Sequence, residues 1–174
     1  MSIYLILFLR ILHIVAGVLW VGGAAMNFLF IGPSAKATAP ESGKFMQYLM
    51  GRRNLSAFMG VTSALTVLAG GLLYWRISGG FQWQWVTSGP GVVFTIGSVA
   101  GIVVYFGGLF LIKPRGERLM ALGQQVGAAG GVPSPAQVAE LQKIDKEMSF
   151  IERVDFVLLI VALLAMATAR YWYI

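Results

Sequence analysis

His13 is the residue of this sequence best suited to chemistry, because it is the only histidine and lies inside a long apolar stretch. If residues 3–31 form a helix, its 3.6-residue period places one stripe of small, polar and aromatic residues among aliphatic side chains. That stripe consists of Arg10, His13, Gly17, Trp20, Ala24 and Asn27. An imidazole in this setting can hydrogen-bond a neighbouring helix, take part in proton transfer or ligate a metal, and haem iron is the favoured metal.

Met166 is one candidate for a second ligand to an iron bound by His13. It lies four residues before Arg170, on a helix expected to run antiparallel to the first, and this places it near the depth of His13. A His13/Met166 pair and a His13–His13 pair across a homodimer are both compatible with haem b. In the alternative interpretation, Met166 is an ordinary packing residue of the core.

Three arginines, Arg10, Arg76 and Arg170, are expected at the same end of the molecule as His13, where no acidic side chain is expected. Unpaired cations around an intramembrane histidine suit an anionic ligand, such as haem propionates or a lipid phosphate. Alternatively, each arginine extends to the lipid headgroups beside interfacial aromatic rings. If haem is bound, we expect Arg10 and Arg170 to hold the propionates and Trp20 to form a wall of the pocket.

The composition is that of an integral membrane protein. Hydrophobic residues make up 57% of the chain and charged residues only 11%, and the mean hydropathy is +0.76. A soluble domain carries about 25% charged residues. The absence of cysteine excludes disulfides, thiolate metal sites and iron–sulfur clusters. The net charge of +6 is interpreted as basic loops that face anionic lipid, with no nucleic-acid partner.

The expected fold class is all-α: a polytopic four-helix membrane bundle that forms a single domain over residues 1–174. Four segments approach the roughly 20 apolar residues needed to cross a bilayer, namely residues 3–31, 55–76, 92–112 and 150–172. Between the last two, residues 113–149 keep a helical pattern and are expected to form a cytoplasmic helical hairpin. Ser134, Pro135 and Gln137 predict the start of its second helix.

Glycine and proline positions predict where the spans end and where they pack. Gly32 and Pro33 are expected to end the first span. Small residues at four-residue spacing predict close helix contacts. Such pairs occur as Gly60 with Ala64 and as Gly97 with Gly101.

The distribution of lysine and arginine predicts the orientation. Most basic residues lie in the segments after the first and third spans, which are therefore expected to be cytoplasmic, with both termini outside. The predicted location is the bacterial inner (plasma) membrane, crossed several times. Asp155 is expected near the cytoplasmic boundary, where it would pair with Arg52, Arg53 or Lys113 in a structural role.

A resemblance to a known family rests on the first and last spans. The run from Leu12 through His13 and Trp20 to Gly22 and Gly23 resembles the opening helix of copper-resistance-D-like membrane proteins and of small four-helix proteins related to them. The closing segment, residues 165–172, is similar to the last helix of those small proteins. A more distant likeness is to the four-helix bacterial protoporphyrinogen IX oxidase, a haem-associated protein. The resemblance implies that His13 and Trp20 are site residues.

The sequence departs from these families in its ligands. Copper transport needs several Met, His or Cys ligands, and the expected outer half offers little besides His13 and Met166. We therefore expect a small membrane protein linked to haem or metal redox chemistry and electron transfer, with His13 as axial ligand. The alternatives are a cofactor-free accessory subunit of a larger respiratory or photosynthetic complex, and a copper or porphyrin carrier.

Overall fold

The computed structural model describes residues 1–172, and within them the chain is helical, with no strand. Three helices are long and apolar enough to span a membrane: α1 (Ile3–Ala37), α3 (Leu55–Ile77) and α5 (Gly89–Ala128). α2 (Ser42–Gln47) and α4 (Trp83–Val86) are short connecting helices, and α6 (Pro135–Thr168) ends in a 3₁₀ turn at Ala169–Tyr171. The all-helical class is thus confirmed.

The long helices associate as two antiparallel pairs, α1 with α3 and α5 with α6. The pairs meet at a small core in which Trp20 of α1 packs with Val104 of α5 and Leu159 of α6. A second link joins Tyr74 and Thr95, whose hydroxyl oxygens lie 2.5 Å apart. The start of α1, with His13, and the 3₁₀ turn after α6 lie at one end of the molecule, which we call the termini end, and the α5–α6 extension lies at the other, the hairpin end.

Two of the long helices, α1 and α5, each continue through a proline. The proline in α1 was expected to end that helix. Pro33 follows a π-helical turn at Asn27–Ile31, and α1 extends through it to Ala37. α5 repeats this arrangement, with Pro114 after the π-helical turn Gly108–Ile112. Proline has no N–H and its ring crowds the carbonyl four residues earlier. The wider turn accommodates the ring, so the prediction that α1 stops at Gly32 and Pro33 is wrong.

The predicted helical hairpin is confirmed as the antiparallel extension of α5 and α6. Ser134 caps α6 in a capping box with Gln137, as its sequence predicts. Arg115 and Arg118 of α5 donate to Glu147 and Glu140 of α6, at 2.9 and 2.7 Å. The hydrogen bond from Arg118 lowers the pKa of the half-buried Glu140 carboxyl below its ordinary value, and Lys143 acts in the same direction.

α6 differs in composition from the three helices that are long and apolar enough to cross a membrane. It is 34 residues long, but Glu152, Arg153 and Asp155 interrupt its apolar stretch near the middle. Uninterrupted apolar sequence begins only at Phe156, which stacks on Phe28 of α1 with the ring centroids 4.8 Å apart. The fourth span therefore stays a prediction.

Candidate functional site

The imidazole of His13 packs closely against Thr66 and Gly70 of α3, and we call these two residues its seat. Its Nδ1 lies 2.8 Å from the backbone oxygen of Thr66. The ring also lies directly over Gly70, where an added Cβ would be 2.7 Å from Cε1 and 2.9 Å from Nδ1. Only a residue without a side chain allows this approach, so Gly70 and the Thr66 carbonyl together position the ring.

The hydrogen bond to Thr66 determines which ring nitrogen carries the proton. A backbone carbonyl only accepts, so the Nδ1–H of His13 must donate to it. In the neutral imidazole the other nitrogen, Nε2, then has a free lone pair. Nε2 makes no hydrogen bond to another residue within residues 1–172. The half-buried ring is therefore held in the tautomer that can ligate a metal or accept a proton.

The face of α3 that packs against α1 consists of small, polar residues. This face was not predicted from the sequence. Thr62, Ser63 and Thr66 are buried, and each hydroxyl donates to a carbonyl of its own helix. The recurrence of Thr62, Thr66 and Gly70 at four-residue spacing is the signal that could have revealed this face. Gly60, the position that was considered instead, has open space where a side chain would lie.

The glycine predictions for α5 are confirmed at one position only. A Cβ on Gly97 would lie 3.0 Å from the Cβ of Ala165 and 3.2 Å from the Cε of Met166, so α6 approaches closely there. A Cβ on Gly101 would meet no atom within 4 Å. The four-residue spacing thus marks a close contact at Gly97 and none at Gly101.

The other proposed site residues are distributed over both helix pairs. Trp20 is 7% exposed and belongs to the core that joins the pairs, two helical turns from His13. Met166 packs against Gly97 of α5, whereas the ring of His13 packs against α3. The contacts of the two side chains thus lie on different helix pairs, and a His13/Met166 pair stays a prediction.

The three arginines at the termini end are exposed. Arg10 lies about one turn outward from His13 on α1, as expected, and Arg76 is at the end of α3. Arg170 donates from Nη2 to the hydroxyl of Tyr171 at 2.7 Å, and its guanidinium lies 4.8 Å from the centre of that ring. Arg10 is thus the arginine nearest in sequence to the imidazole, and Arg170 is held against an aromatic neighbour.

The prediction that Asp155 pairs with Arg52, Arg53 or Lys113 is wrong. Asp155 is buried, and none of the four ion pairs formed within residues 1–172 includes it. Lys113 lies 4.0 Å from Glu117 of its own helix instead. The Asp155 carboxyl faces the backbone of Gly107 on α5, a direction in which no basic side chain reaches it.

Within residues 1–172, no three His, Asp or Glu side chains converge as ligands for a metal ion. A haem needs less from the protein, because the porphyrin supplies four nitrogens and the chain only axial ligands. The Nε2 atom of His13 fits that requirement.

The chain matches no protein-family model, no curated protein and no solved structure.

Proposed function

We propose that this protein is a membrane haem protein in which Nε2 of His13 is an axial ligand to the iron. The observation that carries the proposal is the hydrogen bond from Nδ1 of His13 to the Thr66 oxygen. Histidines that ligate metals almost always donate their other ring N–H to a carbonyl, carboxylate or water, and this fixes the tautomer and the ring orientation.

Haem b bound at His13 would supply one-electron redox chemistry, and the role of the protein would be electron transfer. Arg10, one turn outward on the same helix, would hold a propionate. Arg170 would do the same from α6, after release from Tyr171. The second axial ligand would be Met166 of the same chain or His13 of a second copy in a homodimer.

The proposed topology is a four-helix bundle in the bacterial inner membrane, with α6 as the fourth span. Three helices that are long and apolar enough to cross a membrane support insertion. The concentration of lysine and arginine at the hairpin end supports a cytoplasmic location for that end and an outer location for both termini.

The test is an absorbance spectrum of the detergent-purified, haem-reconstituted protein, oxidised and then reduced with dithionite. We expect a Soret band and a reduced α-band in the wild type, and the loss of both in His13→Ala, because the chain has no other histidine. Met166→Leu serves as the matched variant. A shifted α-band in Met166→Leu indicates His/Met ligation, and an unchanged spectrum indicates a His13–His13 pair.

A flat spectrum from a folded wild-type protein would contradict the proposal. The second candidate, a cofactor-free accessory subunit, would then be favoured. Its support is the α5–α6 extension, which two ion pairs and a capping box hold as a projecting surface suited to a partner.

A further inference from the structure

The carboxyl group of Asp155 has no partner in the part of the chain that the structure describes. The residue is 9% exposed, and its Oδ2 is buried without a hydrogen bond. A Cβ added to Gly107 would lie 3.2 Å from Oδ1 and 3.4 Å from Oδ2, so the group rests on bare backbone of α5. A buried carboxyl without a donor is costly, and native structures seldom retain one without a reason.

Asp155 lines an open groove of about 410 Å³ between α5 and α6. The groove walls are apolar and include Val103, Phe106, Phe110, Phe150 and Val154, and Asp155 is the one polar side chain among the lining residues. The rings of Phe106 and Phe110 stack with their centroids 5.8 Å apart. Small-molecule sites have this size and this combination of apolar walls with a few placed polar groups.

The backbone beside the groove is irregular as well. The π-helical turn Gly108–Ile112 begins directly after Gly107, and Phe110 and Leu111, which line the groove, belong to it. Such turns within α-helices are frequent at functional sites. The groove therefore combines an unpartnered acceptor with a local widening of the helix that faces it.

We propose that this groove binds a lipophilic amine, whose ammonium group donates to Asp155 and whose apolar part lies along Val103, Phe106 and Phe110. An ionised carboxylate only accepts hydrogen bonds, and a charge-assisted bond from N–H⁺ is the strongest complement to it. Aromatic walls add cation–π attraction. The amine is either a free amphiphile or the ethanolamine headgroup of a phospholipid.

The test uses the full chain in nanodiscs of phosphatidylcholine, whose headgroup has no N–H donor. Dodecylamine is the probe and 1-dodecanol is its uncharged match, with bound molecules counted by native mass spectrometry. We expect one amine per chain, bound about tenfold or more tighter than the alcohol, and an affinity loss of about tenfold or more in Asp155→Asn. Glu152→Gln, the matched carboxylate control, should change the affinity by less than about twofold.

A second variant keeps the proposal falsifiable if Asp155→Asn unfolds, which thermal melting would reveal. Val154→Trp fills the groove and leaves Asp155 in place, and it should weaken dodecylamine binding by about tenfold as well. Equal affinity for the amine in wild type and in a folded Asp155→Asn protein would overturn the proposal. Equal binding of amine and alcohol, or no binding to the wild type, would do the same.

The two sources of the amine are distinguished by lipid composition. In nanodiscs that contain phosphatidylethanolamine, displacement of dodecylamine would identify the lipid headgroup as the natural occupant. Undiminished dodecylamine binding would identify a free amphiphilic amine. Both results support an ammonium site at Asp155, because phosphatidylcholine alone offers no competing donor.

Discussion

At the scale of single residues, the position of the His13 ring depends on a glycine at position 70. The ring can reach the Thr66 carbonyl only because Gly70 has no Cβ, which would otherwise lie 2.7 Å from Cε1. Because His13 is the only histidine, the tautomer of its ring can be measured without background from other residues. This makes the positioning role of Gly70 testable apart from any cofactor.

We expect Gly70→Ala to displace the imidazole and break its bond to Thr66. In wild-type protein labelled with ¹⁵N-histidine, at a pH high enough for the imidazole to be neutral, NMR should show a protonated Nδ1 and an unprotonated Nε2. In Gly70→Ala the two tautomers should be mixed, and in haem-reconstituted protein the α-band should broaden. Gly71→Ala is the control, because a Cβ there meets no atom within 4 Å. A Gly70→Ala spectrum that matches the wild type would contradict the positioning role.

Asp155 shows the limit of reasoning from charge alone. Its place near basic residues in the sequence suggested an ion pair, yet in the fold it faces Gly107 across the α5–α6 contact. The sequence identifies which residues carry charge and roughly at what depth they lie. The rotation of α6 about its own axis determines which neighbours the carboxyl meets, and packing against α5 sets that rotation.

At the scale of elements, glycines determine how closely neighbouring helices approach. Gly91, in the first turn of α5, lies under the short helix α4, and an added Cβ would lie 1.8 Å from the backbone oxygen of Trp85. Backbone cannot move aside as a flexible side chain can. The packing of α4 on α5 therefore requires glycine at this position.

We expect Gly91→Ala to destabilise the protein by about 1–3 kcal/mol, since the clash forces a backbone shift. Thermal melting in detergent, followed by far-UV circular dichroism, measures the change. Gly101→Ala is the matched substitution in the same helix, where no atom lies within 4 Å of the added Cβ. It should be neutral or stabilising by up to about 1 kcal/mol. Equal melting temperatures for the two variants would contradict the clash.

At the scale of the whole molecule, two helix pairs are joined by a small core. Trp20 contributes the largest side chain of that core, beside Val104 and Leu159. In lipid the hydrophobic effect does not drive helices together, so close packing of such side chains must do so. Trp20 is thus a structural link between the pairs, whatever else it contacts.

We expect Trp20→Ala to cost about 3 kcal/mol or more and to loosen the two pairs while each stays helical. Trp83, which is 74% exposed on α4, provides the control, and Trp83→Ala should change stability by less than about 0.5 kcal/mol. Reversible unfolding in mixed detergent measures both. A Trp20→Ala protein as stable as Trp83→Ala would show that the pairs are held together elsewhere.

Local patterns in the sequence were enough to predict much of this fold. Three helices long and apolar enough to span a membrane, the helical hairpin and the cap at Ser134 follow from apolar length, periodicity and capping residues, each a property of neighbours along the chain. The packed stripe on α1 was also predictable, since Gly17 and Trp20 do face other helices. The continuation of α1 through Pro33 was not predictable, because it depends on the π-helical turn at Asn27–Ile31 that precedes the proline.

The amino-acid sequence by itself determined that this chain is helical and apolar and that His13 is its one imidazole. Tertiary structure alone decided which residues contact that imidazole, which glycines allow close approach of neighbouring helices and which backbone the Asp155 carboxyl faces. The reason is physical: hydropathy and periodicity act along one helix, whereas the rotation and register between helices are settled by contacts of residues far apart in sequence. His13 contacts Thr66 and Gly70, which lie more than fifty positions away in the sequence, only because α1 packs on α3.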